Sequence, residues 1–304
     1  MNYIKLIRPA QWSKNLFVFL PIFFAQAIGD TTRLWASVVA FIALCLASSA
    51  IYVLNDICDV DFDRRHPEKC LRPIASGSVS LKAAWFIYVL LMLLSVGVVI
   101  LLQPQLSLLV VLVTYIILNH AYCFWLKHIA ILDVMAVAFG FVLRIVAGAS
   151  AAQVVPSHWI IIMTFLLALF LVLAKRRDDV IKYERTQTAV RPIVTAYNRT
   201  FLDHIITLVS AVTLVSYIMY TVDDEIVERF DCNYVYATAI FVLAGMLRYL
   251  QITLVEEKSW SPTKVILRDR FLQICVLCWL LLFAYIIYGY ARCCPLWLRW
   301  HTHS

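Results

Sequence analysis

The chain has 304 residues, of which 63% are hydrophobic and only 15% are charged. Soluble domains carry about 25% charged residues, so this composition excludes an ordinary soluble protein and indicates a protein of the lipid bilayer. The formal net charge is +7, and the positions of the charges decide whether it reflects membrane topology or a polyanionic partner.

Nine apolar stretches are long enough to cross about 30 Å of hydrocarbon as helices. The bilayer core offers no water to unpaired backbone groups, and these stretches lack the alternation of barrel strands. We therefore predict an all-α polytopic bundle of about nine transmembrane helices, with a single domain over residues 1–304. The stretches run roughly over residues 14–29, 34–54, 82–102, 106–126, 130–152, 157–174, 202–222, 233–254 and 271–291.

The basic residues predict the orientation of this bundle. With a cytoplasmic N-terminus, four of the 26 Lys and Arg residues fall on the outer side and Arg144 falls within a stretch, which leaves 21 on the cytoplasmic side. Such a split is what the positive-inside rule predicts for a multi-pass protein. The net charge is thus explained by topology and by anions bound in the loops, without a nucleic-acid partner.

A cluster of carboxylates follows the second stretch. If its helix continues beyond the membrane, Asn55, Asp59 and Asp63 recur at every fourth residue on one face, flanked by Asp56 and Tyr52. Stacked carboxylates repel unless a cation lies among them, and oxygen ligands alone favour a hard ion such as Mg²⁺. We predict a Mg²⁺ site here rather than a solvated acidic helix end, because the same membrane face is otherwise basic.

The loop after this cluster is rich in cations and small residues. Lys69 and Arg72 lie close in sequence to the carboxylates, and a metal flanked by Lys and Arg is the usual arrangement for a bound di- or triphosphate. Positive-inside bias alone could also supply these residues. Adjacency to the carboxylates favours phosphate binding.

The two motifs together resemble the UbiA-type superfamily of intramembrane transferases. The carboxylate stretch is NDxxDxxxD over residues 55–63, and the loop reads HPEKCLRPIASG over residues 66–77. The resemblance extends over essentially the whole chain. It implies that a Mg²⁺-bound diphosphate substrate enters a cavity of the helical bundle, ionises there and is captured by an acceptor.

Two further segments indicate the branch of this superfamily. The prenyltransferases carry a second motif, DxxxD, after the sixth span, whereas residues 173–180 here read LAKRRDDV, a basic cluster suited to a lipid monophosphate. The opening RPAQWSKN over residues 8–15 is similar to that of decaprenyl-phosphate phosphoribosyltransferases. This resemblance implies transfer of 5-phosphoribose from phosphoribosyl diphosphate (PRPP) to a polyprenyl phosphate, for cell-wall polysaccharide synthesis in a bacterial inner membrane. It also implies a homo-oligomer and an active site that faces the cytoplasm.

The resemblance also assigns roles to the carboxylate stretch. It implies that Asn55 and Asp59 hold Mg²⁺ against the donor diphosphate, with Asp63 and Asp56 as direct or water-mediated support. The predicted metal ligands are thus Asn55, Asp59 and Asp63, and the predicted catalytic carboxylates are Asp56, Asp59 and Asp63.

Several other residues are candidates for substrate contacts. Arg144 lies mid-span, where an unpaired guanidinium costs at least about 3 kcal/mol, so we predict that it binds a substrate phosphate or pairs with a buried carboxylate. Lys14 is expected to reach an anion or to extend to the interface. Asp133 is placed either to meet the donor or to neutralise Lys127 or His128. The substrate-binding candidates are Lys14, Tyr52, Lys69, Arg72, Lys127, Asp133, Arg144, Lys175 and Arg176.

Two other functions remain open at this stage. A UbiA-type prenyltransferase that acts on an aromatic acceptor is compatible with the first aspartate motif, although the missing DxxxD disfavours it. A transporter could use Arg144 and the carboxylates as a translocation path. The concentration of motifs on one membrane face and the absence of broken helices in equivalent halves disfavour the transporter.

Overall fold

A computed structural model describes residues 2–66, 69–186, 192–257, 265 and 267–290. Helices account for the regular structure in these residues, and none of them forms a strand. The α-helices are α1 (Asn2–Ile7), α2 (Leu20–Phe24), α3 (Thr31–Cys58), α4 (Val60–Arg65), α5 (Leu81–Leu102), α6 (Leu106–Phe124), α7 (Leu132–Ala152), α8 (His158–Thr186), α9 (Arg199–Val222), α10 (Asp224–Phe230), α11 (Ala239–Leu250) and α12 (Arg270–Ala284).

Eight helical segments among the described residues are long and apolar enough to cross a membrane. The prediction of an all-α, multi-pass bundle is therefore confirmed. The segments are Thr31–Cys58, Leu81–Leu102, Leu106–Phe124, Leu132–Ala152, His158–Thr186, Arg199–Val222, Val235–Val255 and Arg270–Ile287.

The first of the nine predicted stretches forms a different structure. It is an 11-residue 3₁₀ helix, Pro9–Phe19, followed by the short α2. Pro9 and Pro21 lack the N–H group that an α-helical ladder needs, and Asn15 directs its side chain to α3. Because a 3₁₀ helix rises about 2.0 Å per residue, this pair extends about 30 Å, close to the hydrocarbon thickness. Within the described residues, the nine predicted stretches thus correspond to eight long helical segments and one shorter 3₁₀–α pair.

The chain groups into two compact units. The first comprises residues 1–169 and 179–197, and the second comprises residues 170–178 and 198–304. The first unit therefore holds α1 to α7, and the second holds α9 to α12. A single domain over residues 1–304 stays a prediction.

The core of the first unit is built around α3 and α7, the most buried of the eight candidate spans. Their facing positions are small, and Ala36, Ala40, Ala43 and Ala47 of α3 are all buried. Small residues let helix backbones approach closely in a bilayer, where packing rather than water exclusion drives association. This packing holds α3, whose C-terminal end carries the predicted carboxylate stretch.

The second unit packs polar aromatic groups between its helices. Trp279 of α12 donates a hydrogen bond to the Tyr217 hydroxyl of α9 over 2.6 Å, and that hydroxyl lies 2.7 Å from Thr238 Oγ1. Arg177, fully buried, donates to Asp203 over 2.5 Å and to the Thr253 carbonyl over 2.6 Å. Most of these buried polar atoms thereby find a partner in an apolar environment, although Arg177 Nη2 has no hydrogen-bond partner among the described residues.

Candidate active site

The predicted carboxylate stretch lies where α3 ends and α4 begins. The helical path bends at Asp59, which has φ −97° and ψ 8°, but the ladder continues through it. Asp59 N–H donates to the Asn55 carbonyl over 3.0 Å, and Asp63 N–H donates to the Asp59 carbonyl over 2.8 Å. The four-residue spacing predicted from the sequence is therefore kept across the bend.

Two of the carboxylates share one arginine. Arg72 donates from Nη1 to Asp56 over 3.0 Å and to Asp63 over 2.7 Å. Both carboxylates are almost fully buried, so each depends on this cation for charge compensation. The loop that carries Arg72 is ordered by backbone hydrogen bonds from Ser76 and Val79.

A second arginine, Arg8, completes the pairing of Asp56. Its Nη2 donates to both carboxylate oxygens of Asp56, over 2.6 and 2.8 Å. The guanidinium also lies 5.1 Å from the ring centre of Tyr52, a cation–π distance. Arg8 has a left-handed backbone, with φ 51° and ψ 60°, just before the 3₁₀ helix begins. Sequence reasoning missed Arg8 as a site residue, although it opens the RPAQWSKN segment.

Asp59 has partners of its own. Lys127 Nζ donates to Asp59 Oδ1 over 2.6 Å, and Asn55 Nδ2 donates to Asp59 Oδ2 over 3.0 Å. Lys127 lies in the 3₁₀ turn Leu126–His128 after α6. Lys127 therefore forms a direct ion pair with a predicted metal ligand, and its contact with the donor stays a prediction.

The oxygen atoms of this carboxylate stretch fit a hard cation that is shared with phosphate. No group of three His, Cys, Asp or Glu residues converges within the described parts of the chain. Mg²⁺ does not require one, because it is usually bound through one or two carboxylates plus substrate phosphates. Asp63 Oδ1 is buried and has no hydrogen-bond partner among the described residues, so it is an oxygen available to an ion.

The charges of this group balance. Three carboxylates, Asp56, Asp59 and Asp63, are paired with three cations, Arg8, Arg72 and Lys127. Cations held in this way can turn from carboxylate to phosphate oxygens with little change of position, since both are anionic acceptors. The group can therefore exchange partners when a metal–diphosphate is bound.

Arg144 lies deeper in the same unit and is only 7% exposed. It donates from Nε to Asn15 over 2.8 Å, from Nη1 to the Gly140 carbonyl over 2.7 Å and from Nη2 to the Tyr115 hydroxyl over 2.9 Å. Each guanidinium nitrogen therefore has a protein acceptor, and these acceptors are uncharged rather than carboxylates. Asn15 and Tyr115 were not found from the sequence.

The remaining predicted residues are distributed over both units. Lys14 is partly buried on the 3₁₀ helix, and Lys69 Nζ lies 5.2 Å from the Phe62 ring centre. Asp133 is fully buried and accepts a 2.5 Å hydrogen bond from the Tyr197 hydroxyl. Lys175 and Arg176 belong to the part of α8 in the second unit, where Arg176 is 3% exposed. Tyr197 is a further residue that the sequence did not reveal.

Comparison with known proteins identifies a matching family and similar relatives. Residues 15–264 match the UbiA prenyltransferase family. A decaprenyl-phosphate phosphoribosyltransferase from Mycolicibacterium smegmatis is 35% identical over 288 residues, which cover 91% of this chain and 89% of that protein. The protein of the same name from Corynebacterium glutamicum is 31% identical over 287 residues and covers 94% and 86%.

The solved structures include similar folds. A UbiA homolog from Archaeoglobus fulgidus bound to DMAPP and Mg²⁺ superposes with a TM-score of 0.72. The superposition covers 94% of this chain and 99% of that one, at 20% sequence identity. A likeness at this identity concerns the fold, and it agrees with the helical architecture described above.

Proposed function

The chain belongs to the UbiA prenyltransferase family, and from this premise we propose that it transfers 5-phosphoribose from PRPP to a polyprenyl phosphate and releases diphosphate. The observation that carries the proposal is the similarity to decaprenyl-phosphate phosphoribosyltransferases, at 31–35% identity over about nine tenths of the chain. The basic segment Lys175–Arg176–Arg177, where prenyltransferases have a second aspartate motif, supports the same choice.

The geometry of the carboxylate group suits the donor's diphosphate. Arg8, Arg72 and Lys127 each lie within hydrogen-bond distance of a carboxylate, so each can share its charge between that carboxylate and a phosphate oxygen. Charge-assisted hydrogen bonds of this kind are stronger than neutral ones. Lys69 and Tyr52 are proposed to extend this binding surface, and Lys14 is proposed to contact the substrate as well.

Asn55, Asp59 and Asp63 would hold Mg²⁺ here, with support from Asp56, and the ion would neutralise the oxygens of the leaving diphosphate. Asp63 Oδ1 is the oxygen that is buried and without a described hydrogen-bond partner.

The proposed chemistry needs positioning and charge stabilisation rather than a strong base. The bond from ribose C1 to the diphosphate oxygen breaks with its electron pair going to diphosphate, and an oxygen of the acceptor phosphate bonds to C1. That oxygen is already anionic, so no proton has to be removed from it. We expect inversion at C1, and NMR analysis of the product's anomeric configuration checks this; retention would contradict a single in-line displacement.

The acceptor is proposed to bind through Lys175 and Arg176, whose cationic side chains suit a lipid monophosphate. Arg144 was predicted to contact substrate, and that contact stays a prediction. Its hydrogen bond to Asn15 supports a role in holding the N-terminal segment that carries Arg8. The contact of Asp133 with the donor also stays a prediction.

The setting is proposed to be the cytoplasmic face of a bacterial inner membrane. The distribution of basic residues supports this orientation, and a lipid-linked pentose made there would serve cell-wall polysaccharide synthesis. Homo-oligomer formation is also proposed, on the resemblance alone.

A direct assay tests the proposed reaction. Purified protein in detergent is incubated with Mg²⁺, PRPP labelled in its ribose and a polyprenyl phosphate, and radioactivity is counted in the organic phase. We expect Mg²⁺-dependent labelling of the lipid that chelation with EDTA abolishes. Absence of transfer, together with activity on a prenyl diphosphate and an aromatic acid, would overturn the proposal in favour of prenyl transfer.

A further inference from the structure

A strained turn lies directly before α7. Ile131 has φ 71° and ψ −48°, a conformation that L-residues rarely adopt and that is especially unfavourable for a β-branched side chain. Backbone strain of this kind costs about 1–3 kcal/mol and persists only when surrounding contacts impose it. The Ile131 side chain is 54% exposed, so its own packing does not hold the turn in place.

A buried tyrosine hydroxyl restrains the backbone of this turn. Ile131 N–H donates to Tyr197 Oη over 2.7 Å, and that hydroxyl donates to Asp133 Oδ1 over 2.5 Å. Tyr197 is 6% exposed and comes from a segment 66 residues further along the chain. One buried oxygen therefore bonds to the backbone of the strained residue and to the side chain two residues later. The Tyr197 hydroxyl therefore links the two ends of the turn.

The turn determines where Lys127 sits. The 3₁₀ turn Leu126–His128 lies between the end of α6 and Ile131, so its position depends on both neighbours. Ile129 N–H donates to the Leu126 carbonyl, and Asp133 N–H donates to the Ile129 carbonyl, which links the two turns through one short stretch of backbone. Lys127, with its side chain 12% exposed, reaches Asp59 from this turn.

We propose that Tyr197 is a positioning residue for the diphosphate site, and that it acts by holding the strained Ile131 turn so that Lys127 meets Asp59. The inference rests on the proposed function of Lys127 and Asp59 as part of that site. It assigns to Asp133 the role of accepting the Tyr197 hydrogen bond. Nothing in the sequence marks Tyr197, because it lies far along the chain from the turn it restrains.

Binding of magnesium pyrophosphate, measured by titration calorimetry on the purified full-length protein, tests this proposal. Tyr197→Phe keeps the ring and removes the hydroxyl, and we expect it to weaken binding about tenfold, as loss of a supporting hydrogen bond typically does. Tyr217→Phe is the matched control, because it removes a buried, doubly bonded hydroxyl in the second unit. Equal binding by Tyr197→Phe and wild type would overturn the proposal.

Two double variants separate positioning from general structural damage. In a Lys127→Met background, Tyr197→Phe should add little further loss, because its effect passes through Lys127. Glycine adopts positive φ without strain, so Ile131→Gly should restore much of the binding lost in Tyr197→Phe. A full additional loss with Lys127→Met, or no recovery with Ile131→Gly, would contradict the mechanism.

The same titration, made with wild-type protein, distinguishes failure of the Tyr197 role from failure of the proposed phosphoribosyl transfer. Wild-type protein that binds magnesium pyrophosphate but transfers no phosphoribose would refute the reaction and leave the role of Tyr197 intact. Wild-type protein that does not bind magnesium pyrophosphate would refute the diphosphate site and the role of Tyr197 with it.

Discussion

Arg72 shows how much of the site depends on one side chain. It bridges two carboxylates, Asp56 and Asp63, that are 2% and 1% exposed. Removal of one partner from a buried ion pair leaves an uncompensated charge and is far more costly than loss of a surface pair. The same residue is therefore needed for the fold of the loop and for the binding of anions.

We expect Arg72→Met to lower the free energy of unfolding by about 3 kcal/mol and to raise the KM for PRPP at least about tenfold. Arg64→Met is the matched control, because Arg64 is exposed and lies 3.6 Å from an exposed Asp61, a pair worth under about 1 kcal/mol. Thermal unfolding in detergent and steady-state kinetics measure the two effects. Equal effects of the two substitutions would contradict the bridging role.

The residue scale also shows which site residues a sequence can reveal. Asn55, Asp56, Asp59, Asp63 and Arg72 follow from local spacing and from proximity along the chain. Arg8, Asn15 and Tyr197 do not, because their partners are 48, 129 and 64 residues away, and one sequence contains no record of such pairs. For Arg8 and Asn15 the available signal is their place in the RPAQWSKN segment, whereas nothing in the sequence marks Tyr197.

Close packing of α7 against the N-terminal segment is decided by one glycine. A Cβ atom on Gly148 would lie 2.0 Å from the Val18 carbonyl oxygen, which is backbone and cannot turn away. Gly97, on α5, has nothing within 4 Å of the corresponding position. Gly97 therefore has room for a methyl group, whereas Gly148 does not.

We expect Gly148→Ala to displace the 3₁₀ helix and to destabilise the protein by about 2 kcal/mol or more, with loss of transfer activity because Arg8 moves with it. Gly97→Ala should be neutral or stabilising by up to about 1 kcal/mol, since alanine favours the helix. Unfolding temperature and activity, measured side by side, check both. A tolerated Gly148→Ala would show that the N-terminal segment does not pack as described.

The start of α12 carries a pH-dependent contact. Arg248 donates from Nε and Nη2 to Asp269 Oδ2 over 3.0 and 2.7 Å, and Leu272 N–H donates to Oδ1 over 2.9 Å. The hydrogen bonds from Arg248, with help from Leu272, hold the pKa of Asp269 below its usual value. The charged form is therefore favoured by folding. Its stabilisation is complete above the ordinary carboxyl pKa of about 3.9 and is lost as the pH falls through the lower folded pKa.

Asp269→Asn keeps a helix-capping side chain but removes the charge. At neutral pH we expect an unfolding temperature about 2 °C below wild type, because the pair is partly exposed and its strength is limited. The difference should shrink as the pH falls below about 4, where the wild-type carboxylate also loses its charge. A difference that stays constant from pH 7 to pH 3 would contradict the assigned cause.

At the scale of elements, hydrophobic runs predicted the long helices well, because length and composition are enough to identify a span. They did not predict the 3₁₀ conformation of Pro9–Phe19, since an apolar run looks alike in either helix type. The polar side chain of Asn15 inside that run is explained by its hydrogen bonds with Ser48 of α3 and Arg144 of α7.

The topology of the whole molecule makes a prediction about its two membrane faces. Cys58 is exposed at the site end of α3, and Thr32 is exposed at the opposite end. They are 26 helical positions apart, or about 39 Å, which exceeds the hydrocarbon thickness.

We expect an impermeant maleimide to label a variant that retains only Cys58 at least about tenfold faster in inverted membrane vesicles than in right-side-out ones. A variant whose single cysteine comes from Thr32→Cys should show the opposite preference. Labelling of Cys58 from the outer face would overturn the proposed orientation of the site.

The N-terminal segment has a consequence for biosynthesis. Residues 8–15 are translated before the helices that they pack against, since Arg8 pairs with Asp56 and Asn15 pairs with Arg144, which is made 129 residues later. The segment can contact α3 once that helix is made, through Trp12 with Ser49 and Asn15 with Ser48, but the hydrogen bond between Arg144 and Asn15 has to wait for α7. The packing of residues 8–15 is therefore completed late in synthesis, and a chain terminated before α7 would hold every motif carboxylate but lack the contacts of Asn15 with Arg144 and of Val18 with Gly148.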